Sequence, residues 1–293
     1  MEYGPLRLQP HMPPHGRSHP LPLRGRRVVV TRAREQAGDL ASELRALGAD
    51  VVVAPTIRIE PLPAAELGAL RAALGAPGRY RWAVFTSRNT VRVVLERMAE
   101  WGVAASALGA VRVAAIGPAT AAALAEHGVT AEVVPPRFIA EAVVQALAER
   151  GGLSGARVLL PRALEARDAL PEGLRAHGAE VEIVPVYRTV AAEGDGRGLA
   201  REILDGRIHA VTFTSSSTVR HFVALVGRDA ATCGRFAAAV IGPVTADTAR
   251  ALGVAVAVEA DEYTVPGLLH ALVRYFGPHP LSPSPFGRGG TPG

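Results

Sequence analysis

Nine short runs of consecutive apolar, largely β-branched residues recur along the chain: RVVVTR (27–32), ADVVVAP (49–55), WAVFTS (82–87), VRVAAIG (111–117), ARVLLPR (156–162), AEVEIVPVY (179–187), HAVTFTS (209–215), AAAVIG (237–242) and VAVAVE (254–259). They are unbroken rather than alternating, which is the pattern of strands buried on both faces of a parallel sheet. Between them, segments such as QAGDLASELRALG and PATAAALAEHG space Leu and Ala at helical intervals and end in Gly, which readily closes a helix. Strands alternating with helices in this way predict an α/β fold with parallel sheets.

The pattern is duplicated. Residues 27–58 align with 157–188 at an offset of 130. FTSRNTVR (85–92) aligns with FTSSSTVR (213–220) at 128, with six of eight positions identical, and IGPATA (116–121) with IGPVTA (241–246) at 125, with five of six. Three colinear matches with a slowly drifting offset mark a duplicated α/β unit. At 293 residues two similar lobes facing each other are expected, with one large continuous sheet as the alternative.

Each repeated motif falls where a strand gives way to a helix. Arg32 and Arg162 close one pair of strands and Ser87 and Ser215 the next; Gly117-Pro118 and Gly242-Pro243 close the third, with Thr120 and Thr245 two residues on. The carboxyl ends of strands in an open parallel sheet form its ligand crevice, and helix N-termini there favour anions. Hydroxyls and the guanidinium fork add donors suited to carboxylate or phosphate. Taken singly, these residues also have plain structural roles: Ser87, Ser215, Thr120 and Thr245 as helix caps, the prolines in first turns, the arginines as solvated surface. The functional reading rests on six rims of one type converging in two lobes. The repeats differ at two places. Tyr187 stands opposite Ile57, and Ser216 and Ser217 stand opposite Arg88 and Asn89. Tyr187 is either a packing substitution or the one weak acid of the cleft.

Charge first points elsewhere. All 32 basic residues are arginine, against 27 acids, for a net charge of +5 that invites a nucleic-acid partner. The first 27 residues, however, hold five arginines and one acid, and the last 17 one arginine and none, leaving 26 of each sign in 28–276. The basicity lies at the two ends of the chain, of which the Pro/Gly-rich 1–25 and 277–293 read as disordered tails without aromatic interleaving or a helix-turn-helix pattern. No nucleic-acid or membrane partner is therefore expected. Apolar stretches end well short of the roughly 18 residues of a membrane span, and no signal-peptide segment is visible, so a cytoplasmic chain is expected. The lone Cys233 can form neither an internal disulfide nor a cysteine zinc site. Walker, GxGxxG, HExxH and GxSxG motifs are absent and the nine histidines are scattered, so no metal or nucleotide cofactor is expected.

The paired FTSRNTV and FTSSSTV, IGPATA and IGPVTA, and the PVYRT segment together resemble the uroporphyrinogen-III synthase family over about residues 26–276. The resemblance implies two flavodoxin-like lobes with parallel sheets, joined by a two-stranded linker made of PTIRIEPL and PVYRTV. Lobe 1 would take 26–56 plus 189–276, and lobe 2 would take 60–185. It implies a cofactor-independent, cyclising lyase, expected as a monomer. The substrate would be hydroxymethylbilane, a linear tetrapyrrole with acetate and propionate groups, handed over transiently from hydroxymethylbilane synthase. The enzyme would remove its terminal hydroxyl as water, close the ring and invert the last pyrrole. Tyr187 falls on the family's tyrosine and would assist or position the departing hydroxyl. Thr120, Thr245, Ser87, Ser215, Ser216, Arg32, Arg162, Arg88 and Asn89 would bind the carboxylates. Two alternatives stay open on sequence: a non-catalytic two-lobe receptor for a polyanion, and an inactive pathway regulator whose tails touch nucleic acid.

Overall fold

A computed structural model of the protein describes residues 21–150 and 152–277. Its strands, in chain order, are β1 (Arg27–Val30), β2 (Asp50–Val53), β3 (Ile57–Pro61), β4 (Trp82–Phe85), β5 (Arg112–Ala115), β6 (Arg157–Ala163), β7 (Glu180–Ala191), β8 (Ala210–Phe213), β9 (Ala237–Val240) and β10 (Val256–Glu259). They form two five-stranded sheets, ordered β10-β9-β8-β1-β2 and β3-β7-β6-β4-β5. All pairings are parallel except β3 with β7, which run antiparallel from Ile57↔Ala191 to Pro61↔Tyr187.

The first sheet has the flavodoxin-like order 2-1-3-4-5, and the second has it circularly permuted, with β6 and β7 taking the first two places although they come last in the chain. In the first it reads β2-β1-β8-β9-β10. In the second it reads β7-β6-β4-β5, with a parallel bridge Ala114↔Val133 in the fifth place. Each sheet therefore combines the opening βαβ unit of one repeat with the remaining strands of the other, and the chain crosses between them through β3 and β7. The crossing strands are continuous with the second sheet. β7 pairs with β6 along its first part and with β3 along its last, so the linker expected from sequence forms an edge of that sheet.

The unbroken apolar runs have the predicted cause: every residue of β4, β8 and β9 is buried. Leu40 and Leu44 pack with Leu268 and Leu272 on one face of the first sheet, and Phe213, Phe222 and Phe236 on the other. In the second sheet Phe85, Leu70 and Met98 fill one face, and Trp82, Leu147 and Leu174 the other. Each such side chain contributes about 1.5–3 kcal/mol by leaving water.

The folded body begins earlier than composition indicated. Leu23 is fully buried in the first sheet's core, and its N–H donates to the Leu47 carbonyl at 2.9 Å. Gly48, at φ +92°, makes room for this segment; a Cβ there would lie 2.6 Å from that of Leu21. Two leucines among prolines and arginines carry no periodicity, so the segment read as tail. Residues 1–20 and 278–293, the rest of the expected tails, lie outside the described residues. Among the described residues no helix is long and apolar enough to cross a membrane.

Candidate active site at the sheet rims

In the second sheet the strand order reverses between β6 and β4, and Ser87 sits at that point. Its Oγ accepts the Thr90 N–H at 3.0 Å, capping the helix Arg88–Glu100. The same oxygen lies 2.9 Å from Thr90 Oγ1 and 3.2 Å from the Tyr187 hydroxyl. One oxygen thus both caps the helix and holds the phenol. Tyr187 is only 6% exposed, its ring in the core beside Ser87. It lies beneath the rim rather than open in a cleft, because β7 runs through the sheet interior there.

Arg162 departs from its expected role. It is 8% exposed; its terminal nitrogens donate to the Arg167 carbonyl at 3.0 Å and to Asp168 Oδ1 at 2.8 Å. A carboxylate six residues downstream neutralises it and ties the loop after β6 to the helix Ala169–Ala176, leaving only its buried Nε without a partner.

In the first sheet the order reverses between β1 and β8. Ser215 caps the helix Ser216–Val226 in a reciprocal box with Thr218, the N–H···Oγ distances being 3.3 Å both ways. Ser216 donates to the Val244 carbonyl at 3.3 Å and accepts from Thr248 at 2.7 Å, so it also ties this helix to its neighbour Pro243–Ala251. Thr120 and Thr245 are each 4% exposed, and no described residue partners either hydroxyl. Their N–H groups already donate to the Gly117 and Gly242 carbonyls at 3.1 Å, and Pro118 and Pro243 have none to give. These helix ends therefore offer fewer free donors than their position alone implies.

Arg32 differs from its twin Arg162. Its half-buried guanidinium has no ion-pair partner among the described residues, and its Nε is sealed without a hydrogen bond. Burial, then the neighbouring Arg88, lowers its pKa from the ordinary arginine value, while Asp39 acts in the opposite direction. Arg32 follows β1 in the first sheet and Arg88 follows β4 in the second, so two cations from different sheets face one region. Asp39 partly offsets them through a 3.7 Å contact with Arg88. Gln36 donates its side-chain amide to Asn89 Oδ1 across the same gap. A cavity of about 720 Å³ opens beside this contact, and Gln36, Arg88 and Asn89 line its inner end. The remaining expected residues do not line it. It runs outward along the helix Arg88–Glu100, away from the hydroxyl rims.

Sequence reading missed Gln36 and Asp39, which lie in the first two turns of the helix Arg34–Ala46 and carry no repeat signature. Among the described residues no group of three His, Cys, Asp or Glu side chains is placed to hold a metal ion.

Comparison with known proteins agrees with the duplicated motifs. The family described as "Uroporphyrinogen-III synthase HemD" matches residues 38–270. The uroporphyrinogen-III synthase of Synechococcus elongatus is 34% identical over 264 residues, covering 87% of this chain and 97% of its own. That of Chlorobaculum parvum is 26% identical over 251 residues, covering 84% and 98%. The fold is similar to a mutant uroporphyrinogen III synthase from Thermus thermophilus (TM-score 0.58, 21% identity, 85% of this chain and 98% of that one). It is also similar to the synthetase from Helicobacter pylori (TM-score 0.56, 18% identity, 85% and 99%).

Proposed function

The chain belongs to the uroporphyrinogen-III synthase family, and from that premise we propose that the rims at the two strand-order reversals bind the linear tetrapyrrole and carry out its cyclisation. The enzyme is a cofactor-independent cyclising lyase acting on a tetrapyrrole. The observation that carries the site assignment is the contact between Ser87 and Tyr187 at the second sheet's reversal point.

The reaction breaks the bond between the terminal methylene and its hydroxyl, which leaves as water on gaining a proton from solvent, and the proton released by the attacked pyrrole at ring closure restores the balance. The electron-rich pyrrole stabilises the resulting cation, and ring closure with inversion follows. Such a step calls for a weak hydrogen-bond donor at the hydroxyl and firm control of the two chain ends. Ser87 Oγ accepts the Thr90 N–H and has one proton and one lone pair left. In one orientation it accepts from Tyr187; in the other it donates to Tyr187 and accepts from Thr90, which frees the phenol proton. The trio therefore passes a hydrogen bond toward the leaving hydroxyl without any member ionising.

Arg32 and Arg88, converging from the two sheets, take the substrate's carboxylates, with Asn89, Ser215, Ser216, Thr120 and Thr245 as neutral neighbours. A bound carboxylate, met by the terminal guanidinium nitrogens, would offset the mutual repulsion of the two arginines. Arg162 supports the rim by holding its loop through Asp168. The enzyme acts as a cytoplasmic monomer that takes substrate directly from hydroxymethylbilane synthase. Freshly prepared hydroxymethylbilane should yield uroporphyrinogen III. Isomer I alone, from protein shown to be folded, overturns the reading.

A further inference from the structure

The 125 offset continues past the IGPxTA motif. RFIAEAVVQAL (137–147) aligns with EYTVPGLLHAL (262–272), and the helices Ala140–Glu149 and Val265–Phe276 begin at twin positions. Phe138 thereby corresponds to Tyr263, and both rings make the same contact. A Cβ at Gly117 would meet Phe138 Cδ1 at 3.0 Å; one at Gly242 would meet Tyr263 Cδ1 at 2.8 Å. Gly117 and Gly242 have φ of −167° and 169°, extended backbone open to any residue. Glycine stands there because a ring lies on it.

Gly117 follows β5 and Gly242 follows β9. Each is one strand beyond the reversal point of its sheet, and neighbouring strands lie about 4.8 Å apart, so both rings are within reach of a tetrapyrrole centred on the rims. Each has one face against the turn and surface left over: Tyr263 is 36% exposed and Phe138 half-buried. A duplicated scaffold faces a problem with a linear tetrapyrrole, whose two ends resemble each other: it can accept the chain in either direction. The phenol on one lobe and the bare ring on the other break that equivalence.

Resting on the family reading above, we propose that Tyr263 and Phe138 are positioning residues for the tetrapyrrole. Each ring packs against a pyrrole, and the Tyr263 hydroxyl, which Phe138 lacks, hydrogen-bonds a substrate carboxylate and sets the direction of the chain. The test uses the full chain with fresh hydroxymethylbilane, read for KM, kcat and isomer ratio, together with binding of uroporphyrin III followed by its fluorescence. Tyr263→Ala raises KM and weakens uroporphyrin binding about tenfold, as loss of an aromatic contact and one hydrogen bond does. Tyr263→Phe recovers most of the binding but keeps an increased share of isomer I. Phe138→Leu weakens binding with unchanged melting temperature. Unaltered binding and isomer ratio in Tyr263→Ala overturn the proposal, whether or not its melting temperature falls. Wild-type protein that binds uroporphyrin III but makes only isomer I refutes the family reading separately, while the binding series still decides the rings.

Discussion

Ser87 carries three contacts on one oxygen, and removing it separates the cap from the phenol. Ser87→Ala loses the 3.0 Å bond from Thr90 N–H, a cap worth about 1 kcal/mol. It also leaves the Tyr187 hydroxyl, in a residue 6% exposed, without its partner, which costs about 1 kcal/mol more. The total is about 2 kcal/mol. Tyr187→Phe keeps the ring and costs about 1 kcal/mol. If the two hydroxyls form one interaction, the double variant costs about 2 rather than 3 kcal/mol, a coupling of about 1 kcal/mol. The duplication supplies an internal control: Ser215→Ala removes the matching cap with no tyrosine above it, and should cost only about 1 kcal/mol. Urea unfolding of the four variants gives the energies. Turnover should fall roughly fivefold in Ser87→Ala and in Tyr187→Phe, the rate equivalent of about 1 kcal/mol. Additive stabilities within about 0.3 kcal/mol, or a Ser87→Ala no costlier than Ser215→Ala, would refute the shared contact.

Arg32→Gln should raise KM roughly tenfold or more, the worth of a charge-assisted bond, and flatten the rise of KM with ionic strength; identical salt slopes would count against its carboxylate role. Its melting temperature should not fall, because the substitution removes a partly buried cation beside Arg88. Leu23→Ala should cost about 2–4 kcal/mol in urea unfolding; a chain starting at residue 24 should lose comparable stability, and one starting at residue 21 should keep it. His209 accepts the Arg27 N–H at Nδ1, at 3.0 Å, and burial, then Arg26, holds its pKa below the ordinary value. Its contribution to stability is therefore complete above about pH 6.5 and is lost as the pH falls below that toward the folded-state pKa, since the unfolded chain protonates first. His209→Asn should flatten that part of a melting-temperature profile, and an unchanged slope would remove His209 from the acid response.

The strands were legible because β4, β8 and β9 are buried on both faces, and such burial writes unbroken Val, Ala and Phe into the sequence. The repeats located the rims, since a strand-to-helix transition demands local chemistry: a cap at Ser87 and Ser215, a proline at the first turn after Gly117 and Gly242. Which of two matched arginines is free was illegible. Arg32 and Arg162 align, yet Asp168 neutralises only one of them, and that partner comes from a loop that the repeat does not preserve. Leu23 was hidden because burial of a single side chain leaves no period. Gln36 and Asp39 reach Asn89 and Arg88 only after the two sheets meet, so their relation exists at long range alone. Phe138 and Tyr263 were within reach of the offset, but a shared aromatic position between otherwise different segments says little until each ring is found on its glycine.

The exchange of halves between the two sheets also imposes an order in time. The second sheet draws on one continuous stretch from Ile57 to Ala191, whereas β1 must await β8, its Val28 pairing with Ala210. On a ribosome the amino-terminal βαβ unit emerges first and finishes last, holding an apolar strand edge unpaired while more than half of the protein is still being made. Non-local pairing of that kind is slow and exposed to aggregation. A newly made chain is therefore most vulnerable after its central lobe has already closed, and substitutions in β1 or β8 should reduce soluble yield by more than their cost to the finished fold.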